Sequence, residues 1–233
     1  EPINYWKDIA GTLLSSPMAH QLIGFYTIAD KTDGVLKVMR SYQFFAVRAI
    51  SDRVARIEWD GRDRLGGHIW HTTGSGKTMT SFKAAYLIAT SKDADKVIFL
   101  MDRIELGAQS LEQYNNFADT DDFVQSTENS HALIAKLKSN NPNEVLIVSS
   151  IQKMSRIKDE EDGLKADDLA KMQQKRIVII VDEAHRSTFG DMLITIKETF
   201  PQAVLFGFTG TPIKEENQKN LNTTATVFGD ELH

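Results

Sequence analysis

The sequence predicts an α/β fold, a doubly wound and mostly parallel sheet with helices on both faces. Three observations predict it: short, nearly continuous apolar runs recur along the chain, segments with helical spacing separate them, and turn-forming or acidic clusters follow the ends of several runs. Strands covered on both faces read as unbroken apolar stretches rather than as alternating ones. Their alternation with amphipathic segments is the βαβ pattern.

The elements follow in order. Residues 1–37 contain Pro2, Pro17 and a Lys31-Thr32-Asp33-Gly34 turn signal around two short amphipathic pieces. They are expected to be a helical leader or linker from a domain further upstream, with 38–233 forming one lobe. Over 42–59, Phe45, Val47, Ile50, Val54 and Ile57 make a broad apolar face, so a helix should lead into the first strand. Five strands are expected, at 67–70, 96–101, 144–149, 176–181 and 203–208. Helices are expected at 77–90, 104–117, 130–138 and 191–200, the last stopped by Pro201, which has no N–H to donate. The polar stretch 159–174, with Gly163 and few apolar anchors, reads as a solvated surface loop with some helix.

Composition bounds the function. With 41% apolar and 25% charged residues the chain is ordinary for a soluble globular domain. It has neither an apolar run of about 18 residues nor a basic-then-apolar leader, which argues against membrane insertion and secretion and makes the cytoplasm the default. The absence of cysteine excludes disulfides and thiolate metal sites. A formal charge of −5, from 27 basic and 32 acidic residues, does not mark a strongly basic domain, so any nucleic-acid contact must be local. The chain opens at Glu1 and stops soon after Val227-Phe228-Gly229, and both ends read as cut.

His71-Thr72-Thr73-Gly74-Ser75-Gly76-Lys77-Thr78 follows an expected strand and opens an expected helix, the context a phosphate-binding loop requires. Glycines let the backbone curl so that successive N–H groups face the phosphates, and the new helix adds its positive end. Lys77 supplies a point charge to the β- and γ-phosphates, and the Thr78 hydroxyl is placed to ligate Mg²⁺. A Gly-x-Gly-Lys-Ser/Thr string arises by accident in roughly one chain in a hundred of this length. His71 stands where such loops often carry glycine, either as the last strand residue or as a nucleotide contact.

Asp182-Glu183-Ala184-His185 follows the apolar run 177–181 directly, so two carboxylates emerge at the carboxyl end of a buried strand, where ligands bind in such sheets. Asp182 suits the metal anchor. Glu183 suits the residue that orients and polarises an attacking water, because phosphoryl transfer depends chiefly on positioning and electrostatics. Phe208-Thr209-Gly210-Thr211-Pro212 then ends the fifth strand. Thr209, Gly210 and Thr211 with His185 can relay the nucleotide state to a nucleic-acid groove, or the segment is a plain turn capped by Pro212. His20, His68 and His131 lack ligand-like spacing, and the three tryptophans read as packing.

Taken together, these motifs resemble superfamily 2 helicases and translocases, and specifically the motor (restriction) subunit of type I restriction endonucleases. The resemblance rests on Arg40-Ser41-Tyr42-Gln43-Phe44-Phe45-Ala46-Val47, on Gly66-Gly67-His68-Ile69-Trp70-His71-Thr72-Thr73 with the loop that follows, on Asp102-Arg103-Ile104-Glu105-Leu106, and on Ser149-Ser150-Ile151-Gln152-Lys153. It covers roughly residues 38–233, and His71-Thr72-Thr73 is the family's usual lead-in. It implies a first RecA-like lobe that binds ATP and Mg²⁺ through Thr73, Gly74, Ser75, Gly76, Lys77 and Thr78, with Gln43 reading the adenine edge. It further implies that Arg103, Ser150 and Lys153 line a track for double-stranded DNA, although Arg103 and Lys153 also read as solvated surface charges. Family partners would be the modification and specificity subunits. No Asp…Glu-x-Lys nuclease cluster precedes the motor. A second lobe normally supplies the arginine that stabilises the transferred phosphate, so the chain by itself is expected to hydrolyse ATP slowly. The alternatives are a lobe of another superfamily 2 DNA or RNA helicase, and a nucleotide-binding module without activity; a phosphate-loop kinase or GTPase has no need of Asp-Glu-Ala-His followed by Thr-Gly-Thr.

Overall fold

Side chains alternate across a strand, so a five-residue apolar run is stable only where both sides of the sheet are covered. The computed structural model describes residues 6–12, 14–61, 65–72, 74–101, 104–120, 123–158, 166–182, 184, 189–210 and 227–232. In chain order the elements are α1 (Trp6–Thr12), α2 (Ser16–Phe25), β1 (Thr27–Asp30), β2 (Val35–Val38), α3 (Ser41–Ala55), β3 (Gly67–Trp70), α4 (Lys77–Ser91), β4 (Lys96–Met101) and α5 (Ile104–Phe117). There follow β5 (Val124–Ser126), α6 (Ser130–Lys138), β6 (Leu146–Ser150), α7 (Ile151–Ser155), α8 (Ala166–Gln173), β7 (Ile177–Val181), α9 (Phe189–Thr199) and β8 (Val204–Thr209).

Six strands form one sheet in the order β3-β8-β7-β4-β6-β5, every neighbouring pair parallel. On one face Val97, Phe99, Val178, Ile180, Phe206 and Phe208 pack with Val47 and Ile50 of α3 and Phe82 and Ile88 of α4. On the other, Ile98, Leu100, Ile179, Val181 and Leu205 pack with Leu133, Met154, Leu193 and Ile196 from α6, α7 and α9. Each such aliphatic side chain stabilises the fold by about 1.5–3 kcal/mol through burial. The doubly wound parallel architecture expected from the sequence is the one observed.

Four details differ from the expectations. The third expected strand starts at Leu146 rather than 144, because Pro142–Glu144 forms a 3₁₀ turn whose first N–H groups are capped by Asn141. A sixth strand, β5, pairs with the sheet edge through its backbone although it carries one buried apolar side chain, Val124. On α3 the buried face runs through Phe44, Val47, Ile50 and Val54, while Phe45, one helical step away, is 53% exposed. Trp6 and Trp70 are more exposed than a packing role allows. The stretch read as loop with some helix does contain α8, whose Leu169 and Met172 reach the second core.

Before α3, the Lys31-Thr32-Asp33-Gly34 signal is the turn of a β1–β2 hairpin, closed by Gly34 N–H to Asp30 O at 2.8 Å with Gly34 at φ 69°. Tyr26, Ile28 and Met39 join the first core. Lys83 of α4 donates from Nζ to Thr27 O at 2.9 Å, and Lys31 N–H to Asn116 O at 3.0 Å, so the hairpin is fastened to the helices that cover the sheet. At the far end, residues 229–232 return to β3: His68 N–H donates to Asp230 O at 3.0 Å and Leu232 N–H to His68 O at 2.9 Å. The His68 ring is buried and bonds through Nδ1 with Gly229 O at 2.9 Å. No helix of the described residues is long and apolar enough to cross a membrane.

Candidate nucleotide-binding site

Parallel strands deliver their carboxyl ends to one edge of the sheet, and the loops that matter all start there. Gly66 lets β3 lie this close to β8, since a Cβ on it would stand 1.8 Å from Leu205 O. β3 ends at Trp70 opposite Thr209, and β7 ends at Val181 opposite Gly207. β8 therefore separates the strand leading into the glycine-rich loop from the strand leading into the acidic pair, a distance of two strand spacings or about 10 Å.

The loop between β3 and α4 is a tight backbone curl. Ser75 N–H donates to Thr72 O at 3.2 Å, and Gly74 and Gly76 both take left-handed conformations, φ 81° and 79°. Two side chains of α3 hold it from behind. Tyr42 donates its hydroxyl to Ser75 O at 2.9 Å, and the buried Gln43 donates Nε2 to the same carbonyl at 3.1 Å while its Oε1 accepts from Arg40 N at 3.0 Å. A Cβ on Gly76 would come within 2.6 Å of Gln43 Nε2, whereas the space beside Gly74 is open. A cavity of about 370 Å³ adjoins the loop, lined on its hairpin side by Lys37 and Val38 and on the helix side by Tyr42, Gln43 and Met79.

His71 continues the β3 line, its N–H donating to Thr209 O at 2.9 Å. Its ring is buried between Tyr42 and Phe208. Burial, and then the charge of Lys77, hold the imidazole below its ordinary pKa, so the ring is neutral at pH 7. His71 Nδ1 and Ser75 Oγ are buried without a hydrogen-bond partner among the described residues. Buried polar atoms rarely stay unpaired. A curl with left-handed glycines, open space at Gly74 and two unpaired polar atoms fits a guest rich in hydrogen-bonding oxygens.

Lys77 and Thr78 open α4 beside this curl. Asp182 follows β7, its N–H donating to Leu100 O at 3.0 Å, and Ala184 N–H donates to Phe208 O at 2.9 Å. The acidic loop is thereby fastened to β4 and to the end of β8. The pKa of the fully buried Tyr114 is raised, first by burial and in part by the charge of Asp182, and its hydroxyl donates to Ser81 Oγ of α4 at 2.9 Å. Thr209 is fully buried, and Gly210 O accepts from Trp70 Nε1 at 3.0 Å.

Other expected site residues lie elsewhere on the edge. Ser150, at the end of β6, is buried and accepts from Lys153 N at 3.3 Å as the cap of α7. Lys153 donates its ammonium to Thr127 O. Thr73, Arg103, Glu183, His185 and Thr211 lie outside the described residues. Sequence reasoning missed Tyr42, Lys37 and Trp70, whose contributions depend on contacts between distant segments.

The family model for the SWI2/SNF2 ATPase matches residues 42–233. The endonuclease subunit of the type I restriction enzyme SsaAORF53P of Staphylococcus saprophyticus is 40% identical over 99% of this chain, which spans 23% of that relative's length. The carboxyl-terminal part of the endonuclease subunit of MpnIIP, a putative type I restriction enzyme of Mycoplasma pneumoniae, is 37% identical over 85% of this chain and 95% of its own length. Among solved structures, a nuclease-deletion mutant of the type ISP restriction-modification enzyme LlaGI in complex with a DNA substrate mimic shares the fold, with a TM-score of 0.57 at 19% identity over 84% of this chain and 20% of its own. The chain belongs to the SWI2/SNF2 ATPase family, among the endonuclease subunits of type I restriction enzymes.

Proposed function

We propose that the chain is the ATP-binding motor lobe of a type I restriction endonuclease, and that the whole protein couples ATP hydrolysis to movement along double-stranded DNA before cleaving it. The observation that carries this reading is the convergence of the Gly74–Gly76 curl and Asp182 on one sheet edge, two strands apart, with β8 between them. The reading is supported by the relatives, which are named as endonuclease subunits.

The roles divide by chemistry. Thr73, the curled backbone from Gly74 to Gly76 and the leading N–H groups of α4 receive the phosphates, since the first N–H groups of a helix have no carbonyl one turn back. Lys77 adds a charge to the β- and γ-phosphates. Thr78 and Asp182 would hold Mg²⁺, a hard cation that prefers oxygen ligands and water, and the ion would neutralise charge on the phosphate oxygens. Glu183 orients the attacking water. Gln43, now occupied with Ser75 O and Arg40 N, borders the cavity in which the base would sit and reads its edge. His185, Thr209, Gly210 and Thr211 relay the nucleotide state, and Arg103, Ser150 and Lys153 hold DNA phosphates; for Lys153 that means exchanging the Thr127 carbonyl for a phosphate oxygen. Modification and specificity subunits would choose the site on DNA.

The test is a titration of a fluorescent ATP analogue with and without Mg²⁺, followed by steady-state ATPase assays of the full-length protein with and without double-stranded DNA. Magnesium-dependent binding and DNA-stimulated turnover are expected. Binding without any DNA stimulation in the full-length protein would reduce the reading to a nucleotide-binding module, and stimulation by RNA alone would favour another helicase.

A further inference from the structure

The end of β8 is held at three successive carbonyls. Phe208 O accepts from Ala184 N–H at 2.9 Å, Thr209 O from His71 N–H at 2.9 Å, and Gly210 O from the indole Nε1 of Trp70 at 3.0 Å. The first bond leads to the acidic loop; the other two lead to the last strand residue and the first loop residue before the phosphate curl. Main-chain bonds form with almost any side chain, but the third requires an indole N–H at position 70. Trp70 is 48% exposed, at the edge where this fold binds ligands. An aromatic at nearly half exposure is not held by core packing alone, and a half-exposed hydrogen bond adds little to stability.

We propose that Trp70 is a positioning residue: its indole transmits the state of the phosphate loop to Thr209 and Gly210 at the end of β8. The proposal rests on reading that loop as an ATP site. Trp70 and His71 are consecutive, so any adjustment of the 70–71 peptide as the curl closes on phosphates moves both donors together. The carbonyls of Thr209 and Gly210 follow them. Phe208, one residue earlier, stays tied to the acidic loop and acts as the fixed point about which they are levered.

Trp70→Phe tests this in the protein at its full encoded length, because it keeps the ring and removes the donor. Affinity for a fluorescent ATP analogue should stay within about twofold and the melting temperature should hold, while kcat in the presence of double-stranded DNA falls roughly tenfold at unchanged KM. A second readout is the ¹⁹F resonance of 5-fluorotryptophan at position 70, assigned by its loss in Trp70→Phe. It should shift when a non-hydrolysable ATP analogue binds the wild type and stay in place in Lys77→Ala. Unchanged DNA-stimulated turnover in Trp70→Phe overturns the proposal, as does a resonance that ignores an analogue shown to bind, or a parallel loss of affinity and kcat. Affinity of the wild type is measured first: if it binds no ATP, the reading of the site fails, a result distinct from failure of the indole link.

Discussion

Gln43 and Ser75, on separate elements, are joined by a 3.1 Å hydrogen bond from a buried side-chain amide to a loop carbonyl, and Tyr42 donates to the same oxygen at 2.9 Å. The loop's curl is therefore set partly by the helix behind it. Gln43→Ala removes the amide's two part-buried hydrogen bonds, to Ser75 O and Arg40 N–H, at a cost of about 1–3 kcal/mol. For a chain of this size that lowers the melting temperature by about 2–12 °C. Nucleotide affinity should fall with it, and Tyr42→Phe should show a smaller loss of the same sign. Thermal melting with and without an ATP analogue decides the matter; an unaltered melting temperature in Gln43→Ala would show that the latch adds nothing.

The glycines should rank in a definite order. At Gly66 a methyl group would be driven to 1.8 Å from a main-chain oxygen of the neighbouring strand, which cannot retreat without parting β3 from β8. At Gly76 the obstacle is the end of a side chain at 2.6 Å, on top of a left-handed φ. At Gly74 only the backbone conformation objects, which costs about 1–2 kcal/mol for a residue with a Cβ. Chemical denaturation of the three alanine variants should therefore give losses in the order Gly66, Gly76, Gly74, and a loss at Gly66 smaller than at either loop glycine contradicts the close approach of β3 to β8.

Separate duties for the ammonium and the carboxylate predict separate kinetic defects. Lys77→Ala should weaken ATP binding by at least about a hundredfold, since it removes the charge proposed for the β- and γ-phosphates. Glu183→Gln should bind ATP normally while turnover in the full-length protein drops by about 10²–10⁴. Equal loss of binding in both variants, measured by equilibrium titration, contradicts the division.

Lys96 opens β4 with its side chain almost entirely buried and its ammonium bonded to Glu144 O. Burial, assisted by the nearby charge of Lys175, pushes its pKa down to about 8. In an unfolded chain a lysine titrates near pH 10.4. Between about pH 8 and 10.4 the unfolded state binds more protons than the folded one, so this group's contribution to stability rises with pH across that window and is flat below it. The difference in melting temperature between wild type and Lys96→Met should accordingly move in favour of the wild type from pH 7 to pH 10. A difference that stays constant would place the ammonium in a more watery setting.

Contiguous features were the readable ones. β3, β4, α5 and α6 lie where apolar runs and helical spacing put them, because each is bounded by strong turn signals and carries its whole pattern within a few residues. The same holds for Gly74, Gly76, Lys77, Thr78 and Asp182, whose motifs follow strand ends directly. What escaped depends on contacts between remote segments. β5 is held by backbone pairing to β6, which leaves no apolar signature in Val124-Gln125-Ser126. The cavity wall at Lys37 and Val38 depends on a hairpin that announces only its turn, and the indole of Trp70 meets Gly210 only because β3 and β8 are in register. Phe45 looked apolar by type, but one helical step turned it outward.

The strand order also has a consequence for how the molecule is made. Among the described residues β3 pairs only with β8 and with the bridge at Glu231, both of them late in the chain. As the polypeptide leaves the ribosome, the segment that carries the ATP curl must wait unpaired while β4, β5, β6 and β7 find one another, and it can be seated only after residue 209 has emerged. Long-range parallel pairing of this kind is slow and leaves an exposed strand open to misassembly. Nucleotide capture by a nascent chain should consequently switch on late and abruptly, as the last strand slides into the gap.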